Sequence, residues 1–282
     1  MSLKGKKVGL QGFSFYNSMF NISSTLGNNT ITFKFPNYSA ANVYTMKSFV
    51  WTISDGFYTW VQFNDALTQW LTQQKLYTYN STTKLSTFFV QLLENKSAYA
   101  IQWNVSLLPN QSYTTSIPVA GCPITLNPAT TNAIFTAPQI TWTESPNLSK
   151  MFGFAKDTTI TLPSAVYTAD STIAYATRLT DGSVTKSVLS TKAPQINLVD
   201  SVVLCCNIAN NKYSLPNSIL SCTPISSTFG ALTQYNAQSV MYVPCNQTVA
   251  SRIEIQMYDQ DLNPLFQRDA ELTLVLSIMD DI

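Results

Sequence analysis

Strict alternation of apolar and polar residues recurs along this chain, and that period of two excludes most helical architectures. In TITFKF, residues 30–35, Ile31, Phe33 and Phe35 fall on one side of a strand, with the threonines and Lys34 on the other. Residues 43–53 repeat the pattern and stop at Asp55-Gly56, a turn dipeptide. Further strands are expected at 86–93, 99–107, 140–143, 158–162, 173–178, 195–207, 238–243, 252–258 and 271–279, divided by Asn, Pro, Ser and Gly. So many short strands predict an all-β fold, a sandwich or barrel with one or two short helices.

The helices are expected where the period changes. Phe63, Leu67, Trp70 and Leu71 recur at helical spacing, predicting a helix over 64–75 with Asn64 as its cap and Asp65 in its first turn. In SPNLSKMFGF, residues 145–154, Ser145 caps, Pro146 opens the helix and Gly153 ends it in a left-handed conformation. Leu148, Met151 and Phe152 then form one apolar plug.

Charge is the compositional oddity. Charged residues make up 11% of the chain, against about 25% in an average globular protein. Residues 97–143 hold none. A chain so poor in charge suits an exported protein or a subunit covered by partners, and the Pro- and Thr-rich tract 110–138 within it suits contact with another subunit. A net charge of +1 gives no field for nucleic acid or an anionic membrane. The cluster Lys4, Lys6 and Lys7 reads as solvated lysines on a frayed terminus. The stretch after it is too polar for a signal peptide, and no run approaches a membrane span. The five cysteines form no CxxC pair, and the odd count argues against a disulfide framework. Cys205 and Cys206 are expected to face opposite sides of a strand as small buried hydrophobes. An intracellular origin is therefore expected. The nine N-x-S/T sequons are then a by-product of an Asn-, Ser- and Thr-rich composition.

Chemistry is hard to place on this chain. There is no histidine, which excludes Ser-His-Asp and Cys-His catalysis. No GxGxxG, GxxxxGK or GxSxG motif occurs. The acids Asp55, Asp181, Asp259, Asp261 and Asp269 sit at expected turns, where carboxylates usually cap backbone N–H groups. The knot Asp259-Gln260-Asp261-Leu262-Asn263-Pro264 opens like a calcium loop. Pro264 then stands where that loop needs glycine, and Ala270 where it needs glutamate. A connection between two alternating strands fits better. Those strands would form an antiparallel pair or lie near one another with one face buried. No catalytic, cofactor-binding or metal-ligating residue set is assigned, and no cofactor is expected.

Several ordered motifs carry a family likeness: NNTITFKFP; FVWTISDGFYTWVQFNDALTQWL; SPNLSKMFGF; APQINLVDSVVLCCNI; and RIEIQMYDQDLNPLFQRDAELTLVL. Together they resemble the minor capsid, or penton, proteins of virophages, polinton-like viruses, adintoviruses and Polinton elements. The likeness runs from about residue 17 to 278. Two features depart from it: Leu262 where a glycine is expected, and the cysteine-rich strand at 203–207.

The resemblance implies a single jelly roll of two four-stranded sheets. It also implies homopentamers at the five-fold vertices of an icosahedral capsid, beside a double-jelly-roll major capsid protein, and hence location in the virion. Residues 1–20 are then an N-terminal arm and 21–282 one jelly-roll domain. A bare jelly roll is shorter than this chain, so an insertion is expected at about 110–138 or 164–194. A carbohydrate-binding, lectin-like sandwich is the alternative, with Trp51, Trp60, Trp70, Trp103 or Trp142 exposed to stack on sugars. A β-fold glycosidase would need two carboxylates facing one cleft.

Overall fold

The computed structural model describes residues 2–107, 116–128, 134–135, 138–142, 145–155, 159–161, 165–166, 177–178, 184–246 and 249–280. Its elements begin with β1 (Lys6–Tyr16), β2 (Thr30–Ala40), β3 (Val43–Thr52), α1 (Trp60–Gln73), β4 (Tyr77–Asn80), β5 (Ser86–Phe88), β6 (Val90–Asn95) and β7 (Ala100–Leu107). Short pieces follow: β8 (Ser116–Pro118), β9 (Ile134–Phe135), β10 (Gln139–Thr141), α2 (Pro146–Phe152), β11 (Thr159–Thr161), β12 (Ala165–Val166) and β13 (Thr177–Arg178). The chain closes with β14 (Val184–Leu189), β15 (Ser201–Cys206), β16 (Ile219–Pro224), β17 (Leu232–Asn236), β18 (Tyr242–Pro244), β19 (Ile255–Tyr258) and β20 (Leu272–Asp280). Among the described residues the fold is mainly β with two helices, in keeping with the alternation. Of the strand expected at 173–178, only Thr177–Arg178 falls among the described residues, and the Asp181 turn lies outside them.

Two compact units emerge, one of residues 1–20 with 197–282 and one of residues 21–196. The expectation was an arm over 1–20 and a single domain over 21–282, whereas residues 1–20 here group with 197–282. The reason lies in β1, which pairs β20 on one side and β17 and β18 on the other, so the first residues of the chain build its last sheet. In chain order the second unit, 21–196, is a single insertion between β1 and β15, larger than either segment expected to hold one.

The discontinuous unit is a sandwich. One sheet holds β1, β17, β18 and β20, and the other has the order β16-β15-β19, all antiparallel. The resemblance implies four strands in each sheet; the second has three described ones. Both sheets contribute to one apolar core, with Val8, Leu10, Phe13 and Phe15 from β1 and Val202, Leu204 and Cys206 from β15. A register shift at Leu10/Gly12 moves the inward phase of β1 by one residue, so Phe13 and Phe15 continue the face begun by Val8 and Leu10. Gly9 is required by crowding. A Cβ there would lie 2.4 Å from Val240 Cγ1 and 2.9 Å from the Met241 carbonyl oxygen.

The continuous unit holds sheets ordered β11-β10-β2-β3, β13-β14-β7-β6 and β5-β4-β8, with β12 paired to β9. Its core is aromatic. Phe33 meets Trp51, Trp70 and Trp103, and Phe152 meets Trp60, Phe63, Trp103 and Trp142, at centroid distances of 5.2–6.4 Å. Helix α2 forms as its sequence predicts. Ser145 Oγ accepts from the Leu148 N–H, Pro146 opens the first turn, and Gly153 has φ +74°. A Cβ on Gly153 would meet the Lys192 carbonyl oxygen at 2.2 Å. Helix α1 begins earlier than expected. Its cap is Thr59, in a capping box with Gln62, rather than Asn64. Asn64 instead accepts the Leu92 N–H of β6 at 2.9 Å through Oδ1.

Candidate interaction surface

The acidic knot is built as a loop. Asp259 Oδ1 accepts the N–H groups of Asp261 at 2.9 Å and Asn263 at 2.8 Å, and Oδ2 accepts from Asn263 Nδ2 at 3.0 Å. One carboxylate thus replaces the strand ladder where the chain reverses. Gln260 reaches back to the approach to β15, donating to the Leu198 carbonyl and accepting from the Asp200 N–H. Leu262 takes φ +62°, the left-handed region where glycine was expected. Its neighbours β19 and β20 do not pair with each other. The former joins β15 and the latter β1, so the knot carries the chain from one sheet of the sandwich to the other. They are nearby strands sharing a core, the second of the two arrangements expected.

The other described turn acids behave alike. Asp55 accepts from the Ser24 N–H at 2.7 Å and the Ser24 hydroxyl at 2.9 Å, tying residue 24 to the Asp55-Gly56 turn. These bonds, the backbone one foremost, hold its carboxyl below the usual carboxylate value. Asp269 accepts the Glu271 N–H at 2.9 Å. Asp280 pairs with Lys6 across β20 and β1. Lys6 and Lys7 therefore lie on a paired strand, which corrects their reading as a frayed terminus.

Among the described residues, no three His, Cys, Asp or Glu side chains gather as a metal-binding group. The five cysteines are free. Cys205 and Cys206 are both buried, on opposite faces of β15, and burial pushes the Cys206 thiol up. The sugar-stacking alternative fails on its own residues. Trp51, Trp103 and Trp142 are buried, and Trp60 and Trp70 are half-buried against other rings. The sequon residues Asn21 and Asn28 are buried too, 2% and 0% exposed.

What is exposed is apolar. The chargeless tract 110–138 was expected to suit subunit contacts, and its described part, though Ile117 is exposed, is largely bound within its own unit. Strand β8 pairs with β4, and Ile124 and Leu126 are buried beside the turn joining β2 to β3. There the Tyr38 N–H donates to the Thr125 carbonyl, and Asn127 is paired with Asn42. A second stretch without charge, residues 213–251, carries six exposed large apolar groups, while others, such as Val61, Tyr99 and Ile117, lie elsewhere. Tyr213 and Leu215 stand 99% and 92% exposed on a loop held by Asn211, whose Oδ1 accepts the Tyr213 N–H and whose N–H donates to the Asn217 carbonyl. Phe229, Leu232, Met241 and Val249 are exposed in the same stretch, and Leu272, Val275 and Met279 on β20. A scan for uncharged runs reveals the 213–251 stretch, but alternation alone does not show that its apolar residues face outward.

No family model matches the chain, and no curated protein matches it. Among solved structures, the chain is similar to the mavirus penton protein, with 10% identity and a TM-score of 0.43 over 100% of this chain and 87% of that one. It is also similar to a chain in the structure of the Sputnik virophage, with 9% identity and a TM-score of 0.40 over 98% and 88% of the two.

Proposed function

We propose that this chain is a structural viral capsid protein, a penton subunit that forms homopentamers at the five-fold vertices of an icosahedral capsid, beside a double-jelly-roll major capsid protein. The observation that carries the reading is the disposition of apolar and charged groups. Asp55, Asp259 and Asp269 are engaged in capping backbone N–H groups, while charge-poor strands of the sandwich unit leave large apolar side chains in water. A monomer gains nothing from such exposure, whereas a subunit covers it on assembly. The ordered motifs from about residue 17 to 278 support the same reading through their likeness to minor capsid proteins. A five-fold ring is a heterologous assembly that closes by rotation, so two different faces of each copy must match.

Co-expression with a double-jelly-roll major capsid protein tests the proposal. The expected result is icosahedral particles with this chain at the vertices and a released complex of five copies by native mass measurement. A chain that stays monomeric alone and is excluded from such particles would overturn it.

A further inference from the structure

We propose that copies of this chain join edge to edge, β20 of one copy adding to β17 of the next, so that the four-stranded sheet of the sandwich unit continues from subunit to subunit. The proposal deepens the capsid reading and rests on its premise that copies of this chain associate. Strand β1 is the centre of that sheet. Strand β20 flanks it from Lys6 to Phe15, and β17 flanks the opposite side from Gly12 to Tyr16. Among the described residues, neither β20 nor β17 has a second strand partner. Each therefore presents an unpaired row of backbone N–H and C=O groups, a template for another strand.

Proteins that remain monomeric blunt such edges with lysine, proline or a bulge. Here such devices are scarce. Strand β17 contains no proline and no charge, β20 contains no proline and one charge, Asp280 at its end paired with Lys6, and the bulge of the β1/β20 pair falls on β1. Both strands instead carry exposed apolar side chains. Leu272, Val275 and Met279 are 39%, 46% and 38% exposed on β20, and Leu232 is 48% exposed on β17. Leu274, Leu276 and Ile278 pack against the core from β20 and remain only partly buried.

The partner that fits is a second copy, because the molecule carries both halves of the junction. Strands β17 and β20 are each antiparallel to β1 and so run parallel to one another. Joining them across copies makes a parallel junction in which every subunit keeps the same sense, the head-to-tail geometry from which rings form. A two-fold β20-to-β20 contact would leave the uncharged β17 edge in water.

Two variants of the full chain, Val275→Lys and Leu232→Lys, test this by sedimentation. Both sites are exposed, so each variant should keep the wild-type circular dichroism. The wild type is expected to assemble, and each variant alone to lose association by about 100-fold or more. An equimolar mixture should form dimers and nothing larger, since one intact β20 edge and one intact β17 edge remain. Wild-type assembly by Leu232→Lys alone would overturn the proposal in favour of two-fold pairing, and a monomeric wild type would overturn it outright. Hydrogen exchange on the unmodified chain gives a reading free of folding effects. Amides of both β17 and β20 should gain protection on concentration, and gain at β20 alone would sink the head-to-tail geometry. The two readings can fail separately. Rings that never enter capsids would remove the vertex role and leave the junction standing, while variants that enter capsids as well as wild type would do the reverse.

Discussion

Individual side chains in this protein organise backbone more often than they offer chemistry. Asp55 shows the consequence for pH. Its folded pKa is lowered, chiefly by the Ser24 backbone N–H, so folding favours the charged form. Its contribution is fully present above the ordinary value of 3.8 and is lost as the pH falls through the lowered folded value. Asp55→Asn should melt below wild type at neutral pH, and the gap should close in acid; a gap unchanged down to about pH 2 would refute the bond to charge. The closing loop makes a second prediction, a contrast between neighbours. Asp259→Ala removes the acceptor for two backbone N–H groups and should cost about 1–2 kcal/mol in denaturant unfolding. Asp261→Asn keeps its backbone donor and should stay within about 0.5 kcal/mol. Equal losses would mean that Asp259 is not the organiser.

At the scale of elements, legibility followed the distance over which each signal acts. Helix α2 was readable to its last residue because Ser145, Pro146 and Gly153 act within one or two turns. Helix α1 was found by its apolar spacing, but its start was misplaced. Asn64 is a good cap by type and serves β6 instead, a contact between residues 28 apart in sequence. Strand β1 was missed because its bulge breaks the alternation between Leu10 and Phe13, and a broken pattern reads as coil. Its partners lie more than 200 residues away, so nothing local marks it as the centre of a sheet. The loop acids were legible as turn formers, since Asp caps locally. That β20 and the 213–251 stretch would leave apolar groups exposed depends on packing, which alternation does not report. Gly9→Ala tests the centre of the sheet. The added methyl meets the Met241 carbonyl at 2.9 Å, so β18 must move away, at a cost of about 1–3 kcal/mol. Hydrogen exchange should then show β18 amides opening ahead of those of β15.

For the molecule as a whole, the insertion of one unit into another predicts two pieces that fold separately. The ends of the inserted unit meet. Asn21, 2% exposed, donates through Nδ2 to the Tyr58 carbonyl at 2.8 Å and to the Ile196 carbonyl at 3.1 Å, while its Oδ1 accepts the Tyr58 N–H. One buried amide thus clasps the first and last residues of the segment, and adjacent ends are what allow one domain to be spliced into another. All five tryptophans lie between residues 21 and 196, three of them buried in its aromatic core. Residues 21–196 expressed alone should therefore melt cooperatively by tryptophan fluorescence and keep a buried-type emission. The complementary chain, with residues 22–195 replaced by a short Gly-Ser linker, should give a tryptophan-free β-sandwich with its own cooperative melt by circular dichroism. It should also retain edge-to-edge association, because β17 and β20 both belong to it. If the first piece is unfolded with its tryptophans in water, the units are not independent and the insertion is only a pattern of contacts. If both fold but the second no longer associates, the junction needs residues of the inserted unit, and the sheet edges are insufficient alone.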